Sequence, residues 1–140
     1  MTTAAIRTHL SKTFAVAELG SSPATVNARA TSPDGPWQTW DLLGIDKGTQ
    51  GILRAHGTSK YLQAAIGIAL VGADEATVFD VVNEGDTFGL KCALGWLVFE
   101  QGPSDGPTYR ATIRAPELPG LTDYTRLQAV SQGAVIPRPF

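Results

Sequence analysis

Gly35-Pro36-Trp37-Gln38-Thr39-Trp40-Asp41-Leu42 is a Gly-Pro turn running directly into a strand that carries two tryptophans. Weaker echoes lie downstream: Asp74-Glu75-Ala76-Thr77-Val78-Phe79-Asp80-Val81, then Gly106-Pro107-Thr108-Tyr109-Arg110-Ala111-Thr112-Ile113. A second series, Phe14-x-Val16, Gly51-x-Leu53-x-Ala55 and Phe88-x-Leu90-x-Cys92, recurs at nearly constant spacing. Self-similarity at a fixed period is read before any local feature, because one unit of this size cannot bury its own apolar face. Three such units imply a closed threefold barrel.

Local signals agree. Thr13 to Glu18 alternates around Phe14 and Val16, Thr25 to Arg29 follows the Gly20–Pro23 turn, and Trp37 to Leu43 ends the first unit. The second unit reads Gly51–Ala55, a turn at His56–Ser59, Lys60–Ala64, Ile68–Val71 and Thr77–Val82. The third reads Phe88–Ala93, Gly95–Glu100 and a loop at Gln101–Pro107. Its closing strand is either Tyr109–Arg114 or Tyr124–Val130, and unit length favours the first. No segment carries sustained helical periodicity. The expected layout is an N-terminal arm over 1–12, a barrel domain over 13–115, and a Pro-containing extension over 116–140. That extension packs on the barrel or in a protomer interface. Trp40 and Phe79, at matching repeat positions, belong to the core.

With 140 residues, 43% of them hydrophobic, the chain suits a single domain with a modest core. A formal net charge of −2 and scattered basic residues exclude nucleic acid as the main partner. The longest apolar run, Ala64 to Gly72, is too short to cross a bilayer, so no membrane insertion is expected. One cysteine, Cys92, permits no internal disulfide and reads as a small buried hydrophobe. With no signal-peptide pattern at the N-terminus, the expected location is cytoplasmic, or outside the cell by a route without a signal peptide.

The first unit, Phe14-Ala15-Val16-Ala17-Glu18 … Val26-Asn27-Ala28 … Gly35-Pro36-Trp37-Gln38-x-Trp40, resembles the β-trefoil repeats of the fascin-like superfamily, whose pattern is Gly-Pro-Trp-Glu-x-Phe. Leu53-Arg54-Ala55-His56-Gly57 … Lys60-Tyr61-Leu62 is similar to that family's Leu-x-Ser/Ala … Gly-Lys-Tyr-Leu hairpin. Gln38 and Trp40 depart from the usual Glu and Phe, and Ala111 stands at the third unit's core aromatic position. The resemblance implies an all-β, single β-trefoil with three pseudo-repeats of about four strands. It implies carbohydrate binding, as in lectin-like trefoils, or protein binding, as in actin bundlers and protease inhibitors.

For sugar binding, an aromatic ring must cover the apolar face of a pyranose while fixed polar groups bond its hydroxyls. Trp37 is the first candidate, with Asp34, Gln38, Asn27 and Arg29 as polar neighbours. The alternative is that Trp37 packs beneath its own turn. Trp96, which opens a return strand at about the position of Tyr61, is the second candidate, against a role as a barrel-end plug on Leu97 or Phe99. Asp74, Glu75 and Asp105 are either hydroxyl acceptors or turn formers. His9 and His56 lack metal-ligand spacing, so no metal and no cofactor is expected. No catalytic motif stands out, and the reading leans away from an enzyme. The expected partner is a glycan or oligosaccharide, with self-association as a further expectation.

Overall fold

The computed structural model describes residues 2–35, 37–101, 106, 108–137 and 140. Its strands are β1 (Thr2–Thr8), β2 (Phe14–Glu18), β3 (Thr25–Ala30), β4 (Thr39–Leu43), β5 (Gln50–Ala55), β6 (Tyr61–Ala64) and β7 (Ile68–Val71). They continue as β8 (Phe79–Glu84), β9 (Thr87–Cys92), β10 (Gly95–Glu100), β11 (Tyr109–Arg114), β12 (Leu127–Ser131) and β13 (Ala134–Val135). Every described pairing is antiparallel. The pairs β1–β4, β4–β5, β5–β8, β8–β9, β9–β12 and β12–β1 close a ring. The hairpins β2–β3, β6–β7 and β10–β11 stand off this ring and meet one another. β3 pairs with β11, and Leu70 N–H and the Thr25 hydroxyl join β7 to β3. Closure leaves the ring without a free edge.

The ring interior is narrow, and the register shows how it is filled. Trp40 faces Ala4, Phe79 faces Gly51, and Leu127 faces Phe88. In the first two units the bulk sits on the closing strand and the opposite residue is small. In the third both facing residues are large, Phe88 on the opening strand and Leu127 on the closing one. Trp40, Phe79, Phe88 and Leu127 are all buried, as are Ile6, Leu53 and Leu90 at matching positions of the opening strands. At Gly51 a Cβ would run into the backbone of Leu43 and Ile45, so the close approach there admits only glycine.

The pairings overturn part of the expected layout. Residues 1–12 do not form an arm, because β1 lies inside the ring between β4 and β12. The closing strand of the third unit is β12, within the expected extension, and not Tyr109–Arg114, which is the outer strand of a hairpin. The barrel therefore does not end at residue 115. Ala111 is not the counterpart of Trp40; Leu127 is. Phe14 is the counterpart of Tyr61 and Trp96 and not of Gly51 and Phe88, since it stands opposite Arg7 as they stand opposite Arg54 and Lys91.

On the outer wall, Asp41 of β4 is buried, yet every approach to its carboxylate is filled. Arg54 Nε donates at 2.8 Å, the Thr3 hydroxyl at 3.0 Å, and His56 Nδ1 lies at 2.8 Å. Burial alone raises its pKa, but the bonds from His56, Arg54 and Thr3 outweigh it and hold the carboxyl below its usual 3.8. A depressed native pKa adds stability above the unfolded value, and that stability disappears as pH falls through the native value. Asp41→Asn is expected to lower stability by about 1–3 kcal/mol at neutral pH. In denaturant titrations the gap to the wild type should close below pH 4; a gap independent of pH would refute the assignment. Trp40→Ala should cost about 3–5 kcal/mol in the same measurement.

Candidate functional site

Trp37 precedes β4 and is 48% exposed. Its carbonyl accepts the Ala17 N–H at 2.8 Å, which ties this stretch to β2 while the side chain stays outside. The indole borders a depression of about 350 Å³, which also takes in Glu18, Arg29 and the turn at Leu19–Ser21. Arg29 grips Glu18 with two bonds, Nε at 2.9 Å and Nη2 at 2.8 Å, and Asn27 Nδ2 donates to the same carboxylate at 3.0 Å. The Arg29 bond holds the Glu18 carboxyl below its usual range, against burial and with Asn27 assisting. A carboxylate offers about four lone-pair sites and a guanidinium five N–H donors. Three of the former and two of the latter are used, so the pair presents mostly donors outward, beside an open indole face.

The structure thus brings together Trp37 and Arg29, with Asn27 supporting them from behind Glu18. The other expected residues go elsewhere. Asp34 bonds the Ser32 hydroxyl within its own turn, and the Gln38 amide lies over Gly35. Neither lines the depression. Tyr61 is half-buried against Arg54, whose guanidinium lies 5.9 Å from its ring. Trp96 needs outright correction, because it is wholly buried. Its indole N–H donates to the Leu118 carbonyl at 3.1 Å, Leu121 and Gly89 cover the ring, and the Lys91 ammonium sits 5.2 Å from it. No face is left for a ligand. Asp74 and Glu75 form an exposed 3-10 turn, and Asp105 lies outside the described residues.

Register exposes a second set that sequence reading missed. Arg7 stands opposite Phe14, Arg54 opposite Tyr61 and Lys91 opposite Trp96, which aligns the three units. Four residues beyond each aromatic come Glu18, Ala65 and Glu100. Three residues before Trp40, Phe79 and Leu127 come Trp37, Ala76 and Tyr124. Three residues after the hairpin positions Val26, Ile68 and Ala111 come Arg29, Val71 and Arg114. Units one and three therefore carry the same aromatic–Glu–Arg set, and unit two carries Ala76, Ala65 and Val71.

In unit three, Arg114 grips Glu100 through Nε at 2.9 Å and Nη2 at 3.2 Å, reproducing the fork of Arg29. The Arg114 bond lowers the Glu100 carboxyl, against burial, and the Tyr124 hydroxyl assists by donating to it. Tyr124 is 46% exposed and borders a depression of about 400 Å³ shared with Tyr109, Gln101 and Asp123. Among the described residues no group of three or more His, Cys, Asp or Glu is arranged to hold a metal. None of the described helices is long and apolar enough to cross a membrane.

Burial, reinforced by the bond and charge of Glu100, pushes the Tyr124 phenol up to about 12 from its usual 10.0. In a spectrophotometric titration of the chain's three tyrosines, one should ionise well after an ordinary phenol, and Glu100→Gln should bring that step earlier. A late step unmoved by Glu100→Gln, or absent in the wild type, would refute the contact.

No family model and no curated protein matches this chain. Among solved structures it is similar to the crystal structure of the Rhizoctonia solani agglutinin, with a TM-score of 0.66 at 18% identity over 93% of this chain and 94% of that one. At that identity the likeness speaks for a shared all-β fold.

Proposed function

We propose that this chain is a β-trefoil that binds glycans without catalysis, at one site in its first unit and a related one in its third. The observation that carries this reading is the recurrence of one exposed aromatic, one glutamate and one arginine at matching positions of units one and three. Core packing does not require it, since unit two closes the same ring with Ala65, Val71 and Ala76 in their place. Exposed Glu–Arg pairs add little stability, commonly below about 1 kcal/mol, so their use lies in holding donors in place. An indole or phenol face then covers the C–H face of a pyranose, and the fixed guanidinium bonds its hydroxyls.

The chain shares its fold with an agglutinin, a protein that clumps cells by bridging them, and bridging needs more than one site. The Gly-Pro-Trp segment that carries the fascin-like resemblance is the one that presents Trp37. Each site is small, so single-site affinity is expected to be weak and useful binding to come from the two together.

A glycan array is the test, with titration calorimetry on whatever it finds. Wild type should bind a related set of glycans at two sites per chain. Trp37→Ala should weaken the first site roughly thirtyfold and Tyr124→Ala should silence the second, both with unchanged circular dichroism. An empty array, or loss of binding that tracks loss of melting temperature in both variants, would overturn the reading.

A further inference from the structure

The depression beside Trp37 has a neighbour at the Leu19–Ser21 turn. A larger one, of about 740 Å³, begins at the same Leu19 and Ser21 and continues past Ser22 to the β5–β6 hairpin, where Ser59 and Lys60 line it. The two depressions adjoin at Leu19 and Ser21, one beside Trp37 of the first unit and the other reaching the hairpin of the second, with the aromatic platform in the first only.

The chemistry of the far end is specific. No carboxylate lines the larger depression. The hydroxyls of Ser21, Ser22 and Ser59 have no protein partner among the described residues, and neither does the Lys60 ammonium. The Lys60 backbone, in contrast, is fixed: its N–H donates to the Thr58 hydroxyl at 3.0 Å and its carbonyl accepts the Ala55 N–H at 3.0 Å. At the near end the only acid, Glu18, is neutralised by Arg29. A groove with an unpaired ammonium, three free hydroxyls and no free carboxylate suits an anion.

From this groove we propose that the first-unit site takes an acidic oligosaccharide, with a sugar stacked on Trp37 and a carboxylate or sulfate ester further along held by Lys60 and the serine hydroxyls. This rests on the glycan-binding reading above and names its ligand class. The depression beside Tyr124 is lined by two carboxylates, Glu100 and Asp123, and by no lysine, so preference for acidic sugars belongs to the first site alone.

The experiment uses an array of core-matched glycans in neutral, sialylated and sulfated forms, probed with wild type, Lys60→Ala and Trp37→Ala on the Tyr124→Ala background, which isolates the first site. Free sulfate is added as a separate competitor. Acidic members should bind about two- to fivefold tighter than their neutral cores, the increment of one solvent-exposed ion pair. The increment should shrink with salt and vanish in Lys60→Ala, which keeps neutral binding. Trp37→Ala should lose both forms. Inhibition by free sulfate alone, at concentrations where the matched neutral glycan does not compete, would show an anion site independent of sugar and overturn the proposal. Equal binding of neutral and acidic members, or a preference that survives Lys60→Ala, would overturn the ligand class and leave glycan binding standing. No binding to any member would overturn both.

Discussion

The narrow interior of the strand ring is the constraint on which the rest of the molecule depends. Six antiparallel pairings enclose a space filled by large buried side chains, so each must fit against whatever faces it. Trp40 over Ala4 and Phe79 over Gly51 meet this with one very large and one small residue, and Leu127 over Phe88 and Leu42 over Leu53 with two large ones. What matters to the core is the fit across each pair, and the fit can be met in either way. An unbranched ring built on that rule needs no helix and no disulfide, and its three hairpins then close one end by pairing with each other.

The same rule explains why the fold was legible and the period was not. Strand positions follow from alternation and turn residues, and each strand expected from Phe14 to Arg114 is present. Large residues mark the repeat only while each unit keeps its aromatic on the same strand. In unit three the aromatic is Phe88 on the opening strand, so the closing strand carries Leu127 with no aromatic to match Trp40 and Phe79. β1 gives little strand signal for a related reason: Ala4 is small where Trp40 fills the space it faces. The cross-strand pairs Arg7–Phe14, Arg54–Tyr61 and Lys91–Trp96 keep a constant register in all three units and bring the closing strands into line.

The candidate site was legible in part for the same physical reason. Trp37 stood out because it is out of phase with Trp40, and a strand cannot bury two successive odd-and-even neighbours on one face. Tyr124 has that relation to Leu127, but no Gly-Pro turn announces it. Trp96 misled because tryptophan is informative only once its cover is known, and its cover is Leu118 and Leu121, more than twenty residues away along the chain. Glu18 and Glu100 sit at strand ends, where an acidic residue in a sequence reads as solvated surface.

Unit two shows what the ring demands and what it leaves open. It supplies the same ring strands and the same hairpin with Ala65, Val71 and Ala76, so the Glu, Arg and aromatic of its neighbours are free of any duty to the core. Surface sets that recur without structural need call for another explanation, and a shared ligand chemistry is the economical one. The vacancy also shapes how the two sites relate. Unit three meets unit one through β12–β1 and through β3–β11, and Trp37 and Tyr124 border separate depressions with no lining residue in common. One short sugar chain would have to cross from one depression to the other to fill both. Two separate chains meet no such obstacle, so on this reading the geometry favours bridging between glycans over tighter grip on one.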